Sequence, residues 1–76
     1  MKRTDLLSRL AEALQAPAVS FSESTRLSSL TMWDSMGQLE VACLLDSVFG
    51  LQVPAGTFSR ADTVGDLLEF ASHKLN

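Results

Sequence analysis

Seventy-six residues with six basic and nine acidic side chains and a formal charge of −3 make a mildly acidic chain. Its 46% hydrophobic and 20% charged content excludes the polar, highly charged class that stays disordered, and at this length one thin core in a single domain over 1–76 is expected. The basic residues Lys2, Arg3, Arg9, Arg26, Arg60 and Lys74 are dispersed, which excludes the cation stripe of a nucleic-acid binder and suits partners with basic docking surfaces.

The segment from Met1 to Asp5 is charged at once and lacks the apolar stretch of a secretion signal. Leu6, Leu7, Leu10 and Leu14 then recur at helical spacing, with Ala11 and Ala13 between them and Thr4 available as the N-cap. Pro17 is expected to stop this first helix, because proline lacks the amide hydrogen and disfavours helical geometry in the residue before it. From Pro17 to Trp33 the chain is rich in Ser and Thr but carries Val19, Phe21, Leu27, Leu30 and Met32. A connection this long is uncommon in a compact domain unless it serves a function, and these residues predict a loop strapped to the core.

Asp34 offers a capping side chain for a second helix, which Gly50 ends as a C′ glycine. Leu39, Val41, Ala42, Leu45, Val48 and Phe49 are read as its apolar stripe, and Gln38, Glu40, Asp46 and Ser47 as its other face. Cys43 lies in this apolar run; a lone cysteine forms no internal disulfide, so a buried thiol in a reducing, cytoplasmic setting is expected. Thr57 to Asp62 allows a turn or two of helix around Phe58. Thr63 with Asp66 three residues later resembles a capping box, and Val64, Leu67, Leu68, Ala71 and Leu75 mark the core face of a last helix. No stretch reaches the roughly 20 apolar residues of a membrane span. The expected fold is all-α: a bundle of three main helices and one short one, with a long first loop.

Ser35 is placed at the first position of the second helix and should be exposed. Unpartnered amides and the positive end of the dipole gather there, so a phosphate on its hydroxyl would sit in a favourable field. Reading outward, Trp33-Asp34-Ser35-Met36 followed by Leu39, Glu40, Val41, Leu45, Phe49-Gly50 and Pro54 resembles the acyl carrier protein family over nearly the whole chain. The stretches DSMGQLEV and FGLQVP, with Phe58 and Arg60 in TFSRAD, look in particular like its D-alanyl carrier branch.

The resemblance implies a four-helix bundle of acyl-carrier type and a covalent phosphopantetheine, derived from coenzyme A, on Ser35. It also implies a stand-alone monomeric carrier that is not itself an enzyme. A phosphopantetheinyl transferase would install the arm, an acyl- or aminoacyl-loading enzyme would charge its thiol as a thioester, and an acyltransferase or synthase would receive the cargo. Trp33, Asp34, Met36, Glu40 and Val41 are the expected partner contacts near the arm, although Trp33 serves equally as a core anchor. Met32 stands where the family usually has glycine. Gly37, Gln38, Ser47 and Val48 stand where fatty-acid carriers are strongly acidic, so partners outside fatty-acid synthesis are expected. Cargo, whether fatty acyl, polyketide, amino acid or D-alanine, is chosen by the loading enzyme.

Two other classes compete. A helical interaction module would use Ser35 only to start a helix. A minimal hydrolase would recruit His73 and Asp34 to Ser35 but lacks a glycine-rich elbow and an oxyanion motif. One His and one Cys are too few for a structural zinc site.

Overall fold

The first helix, α1 (Arg3–Ala13), buries Leu6 and Leu10 on one face, and Leu14 continues that face from the C-cap. The fold was taken from a computed structural model that describes residues 1–17, 19–54 and 56–75. Thr4 is not the cap. The N-cap is Lys2, whose backbone amide donates to the Asp5 carboxylate at 3.3 Å, so an acid in the first turn does the work expected of a hydroxyl before it.

Pro17 does not stop α1 either. Gln15 turns left-handed at φ 53°, and the amides of Gln15 and Ala16 donate back to the carbonyls of Glu12 and Ala11. This Schellman closure leaves proline outside the helix it was expected to end.

The second helix, α2 (Ser35–Phe49), packs on α1 through Gly37, Val41 and Leu45. Asp34 caps it as expected, accepting from the Gly37 amide at 3.0 Å. Gly50 ends it at φ 68°, with its own amide and that of Leu51 returned to Asp46 and Leu45. Its buried face is the expected one at Val41 and Leu45, with Ala42, Val48 and Phe49 half-buried. Two residues differ: Leu39 is 60% exposed, and Cys43, expected as a buried thiol, is exposed.

A 3₁₀ turn at Thr57–Arg60 buries Phe58. The last α-helix, α3 (Val64–Phe70), buries Val64, Leu67 and Leu68 against α1, and Ala71 follows as its buried C-cap. It is shorter than the pattern suggested: Leu75 lies beyond a closing 3₁₀ turn, Ser72–Lys74, and is only half-buried. The Thr63–Asp66 capping box is present, with reciprocal bonds of 3.4 and 3.1 Å and a further 2.8 Å bond from the Asp62 amide to the Asp66 carboxylate.

The long loop is strapped down as predicted. Phe21 and Leu27 enter the core, and Leu30 and Met32 are half-buried, but Val19 is 99% exposed and anchors nothing. A 3₁₀ turn at Leu27–Ser29 follows an antiparallel bridge between Arg26 and Thr63. Around that bridge the Leu27 amide donates to Asp62, Val64 to Thr25 and Gly65 to Glu23. Arg3 fastens the same corner, forking onto Glu23 at 2.6 and 3.3 Å and reaching Glu69 at 3.4 Å. The first loop is therefore stitched by backbone to the start of α3.

Candidate functional site

Ser35 opens α2 because the chain reaches it extended at Asp34 (φ −124°, ψ −167°) and the Asp34 carboxylate takes the amide of Gly37, the third residue of the helix. The amides of Ser35 and Met36 precede the intrahelical ladder. Among the described residues no hydrogen bond engages them or the Ser35 hydroxyl. Ser35 is exposed. An unengaged hydroxyl thus stands at the positive end of a fifteen-residue helix, where developing negative charge on an attached phosphate is favoured.

Beside it lies an open cleft of about 280 Å³ lined by Ser35, Gln38, Leu39 and Ala42 of α2 and by Val53, Pro54, Gly56 and Phe58 beyond it. Helical spacing explains one wall, since Gln38, Leu39 and Ala42 lie three, four and seven residues beyond Ser35 and so share its face. The opposite wall is the connection after Gly50 together with the 3₁₀ turn, held down by Phe58. That ring packs edge-on against Trp33 at 5.8 Å and Phe70 at 5.7 Å, tying the residue two before Ser35 to α3 through three aromatics.

Of the residues expected to meet partners, Trp33 is half-buried against Phe58 and serves as an anchor. Val41 is part of the core between the helices and presents nothing to a partner. Asp34, Met36 and Glu40 are exposed, Met36 at 63%. Glu40, five residues on, is turned about 140° around the helix from Ser35. Leu39 is the surface residue that pattern reading assigned to the core. Its spacing of four from Ser35 was the available signal, since a position facing outward at Ser35 faces outward again at Leu39.

His73 is exposed in the closing 3₁₀ turn and makes no hydrogen bond to Ser35. Among the described residues no three His, Cys, Asp or Glu side chains gather to hold a metal ion, and no helix is long and apolar enough to cross a membrane. What the site offers is one accessible hydroxyl, two free amides and a mixed apolar cleft.

A family model described as the phosphopantetheine attachment site matches residues 4–71. The chain belongs to the acyl carrier protein family. Its prosthetic group is accordingly a covalently held phosphopantetheine, and the all-α arrangement of α1, α2 and α3 around one core is the fold of such a carrier. Comparisons with curated proteins and with solved structures returned no match. The geometry around Ser35 fits the group: its hydroxyl is reachable and unengaged, a phosphate carried there would meet the Ser35 and Met36 amides, and the cleft adjoins the serine.

Proposed function

We propose that this carrier holds phosphopantetheine on Ser35 and delivers an acyl or aminoacyl group to partner enzymes without catalysing a reaction itself. The observation that carries the reading is the exposed, unpartnered Ser35 hydroxyl at the first position of α2 in a chain of this family. When bound, the group supplies a thiol on a flexible arm that keeps a carboxylic acid activated as a thioester and raises its concentration at each docked enzyme.

The chain's own residues do the positioning. Asp34 caps the helix that presents Ser35, and the Ser35 and Met36 amides together with the α2 dipole stabilise the phosphodiester. Met36 and Leu39 present apolar surface to the installing transferase, the loading enzyme and the recipient acyltransferase or synthase, while Glu40 and Asp46 lend sparse acidic charge. Work as a monomer in the cytoplasm suits this role. The resemblance of DSMG, Phe58 and Arg60 to the D-alanyl carrier branch makes D-alanine, for cell-envelope polymer modification, one cargo to test.

Incubation with coenzyme A and a broad-specificity phosphopantetheinyl transferase, followed by intact mass measurement, tests the attachment. Wild type is expected to gain one phosphopantetheine and Ser35→Ala none. Equal labelling of both, or of neither, rejects the reading. Biological activity fully retained in Ser35→Ala would support the interaction-module alternative. Loading of the holo form by purified adenylating enzymes, with D-alanine against other acids, then separates the cargos.

A further inference from the structure

Gly37 is the third residue of α2, and its surroundings are unlike those of the other described glycines. An ideal Cβ built on it lies 1.8 Å from the Met32 carbonyl oxygen, 2.9 Å from that carbonyl carbon and 3.2 Å from Leu14 Cδ2. The obstacle is backbone, which no rotamer change relieves. The same Met32 carbonyl accepts the Asp34 amide at 2.9 Å, and Asp34 in turn accepts the Gly37 amide at 3.0 Å. Met32, Asp34 and Gly37 therefore close a ring around Ser35 that exists because Gly37 has no side chain.

We propose that Gly37 is a positioning residue for Ser35: its bare Cα lets the first turn of α2 seat against the loop, and that seating fixes where the hydroxyl stands. The proposal rests on Ser35 being the attachment point. Any side chain at 37 drives the loop and the helix start apart by about 1.7 Å or more to reach an ordinary contact of roughly 3.5 Å, with Ser35 between them. Misplacement of a reacting atom by about 1 Å costs on the order of 100-fold in rate. Gly65 is the natural control. It lies near the start of α3, where the nearest obstacle, the Glu23 carbonyl oxygen, is at 3.1 Å and would have to give by only a few tenths of an ångström.

The test compares wild type, Gly37→Ala and Gly65→Ala as substrates of a phosphopantetheinyl transferase with coenzyme A, below the melting temperature of each, with kcat and KM measured separately. Gly37→Ala is expected to lose about 100-fold in kcat with KM little changed, because the outer face of α2 is intact; Gly65→Ala keeps the wild-type kcat. A folded Gly37→Ala that retains wild-type kcat overturns the proposal, since a purely structural glycine would lower the melting temperature alone. Hydrogen exchange on wild type reads the seating directly and serves if Gly37→Ala does not fold. The amides of Asp34 and Gly37 are expected to exchange as slowly as that of Leu45, and fast exchange typical of a fraying helix end would overturn it. A wild type that the transferase leaves unmodified rejects the Ser35 reading, while hydrogen exchange still decides whether Gly37 clamps the turn.

Discussion

The starts of α2 and α3 are built from the same vocabulary and end in opposite states. Each has an extended N-cap, Asp34 or Thr63, whose side chain accepts from the third helical amide. At α3 the first two amides, Val64 and Gly65, are taken by the carbonyls of Thr25 and Glu23 in the long loop. At α2 the corresponding amides of Ser35 and Met36 have no such partner among the described residues. A helix start is an anion site only where the rest of the chain leaves its amides free. The first loop closes one end of the bundle and leaves the other open at the serine.

The strongest way to break that contrast is to unpick the loop. Leu27→Ala removes a buried anchor beside the Arg26–Thr63 bridge and is expected to cost about 2–5 kcal/mol, read by urea unfolding. The caps come next. Asp34→Ala and Thr63→Ala should each lose about 1 kcal/mol, but only Asp34→Ala should also slow phosphopantetheine transfer; equal slowing by both would erase the distinction.

Acid sharpens the comparison at the closed end. Hydrogen bonds from the Asp62 and Thr63 amides hold the Asp66 carboxyl below its ordinary 3.8, and the Arg3 fork holds Glu23 below 4.5. Groups with depressed folded values stabilise above their unfolded values and lose that contribution as pH falls through the folded ones. The melting temperature should therefore drop below about pH 4, and less so in Asp66→Asn, which starts lower. The smallest effect on stability belongs to Leu39→Ser, within about 0.5 kcal/mol at an exposed position. Weaker binding to the transferase, with the melting temperature moved by no more than about 4 °C, is its expected signature.

Much of this was legible in the residues themselves. Asp34, Gly50 and the Thr63–Asp66 pair act through contacts within a few positions, and local chemistry of that kind is visible as spacing. The outward turn of Leu39 and Cys43 was not. Met36, Leu39, Val41, Ala42, Cys43, Leu44, Leu45, Val48 and Phe49 wrap most of the helix in apolar groups, so periodicity alone favours no single buried face. In the folded chain Gly37, Val41 and Leu45 face the core and Leu39 and Cys43 face solvent.

The start of α1 was misread for a related reason. Thr4 has the chemistry of a cap, yet Asp5 satisfies the Lys2 amide from inside the first turn. The end of α1 was misread because Gln15 adopts a conformation usually left to glycine.

The outward turn of Cys43 changes how the protein must be handled at the bench. Once the arm is attached, each molecule has two solvent-reachable thiols, one on the tether and one at Cys43 on α2. A thiol titration of the native holo form should therefore consume two equivalents of reagent and the apo form one, with Cys43→Ser removing one from each. Fluorophores or crosslinkers meant for the tether will decorate the helix as well unless that serine variant is used.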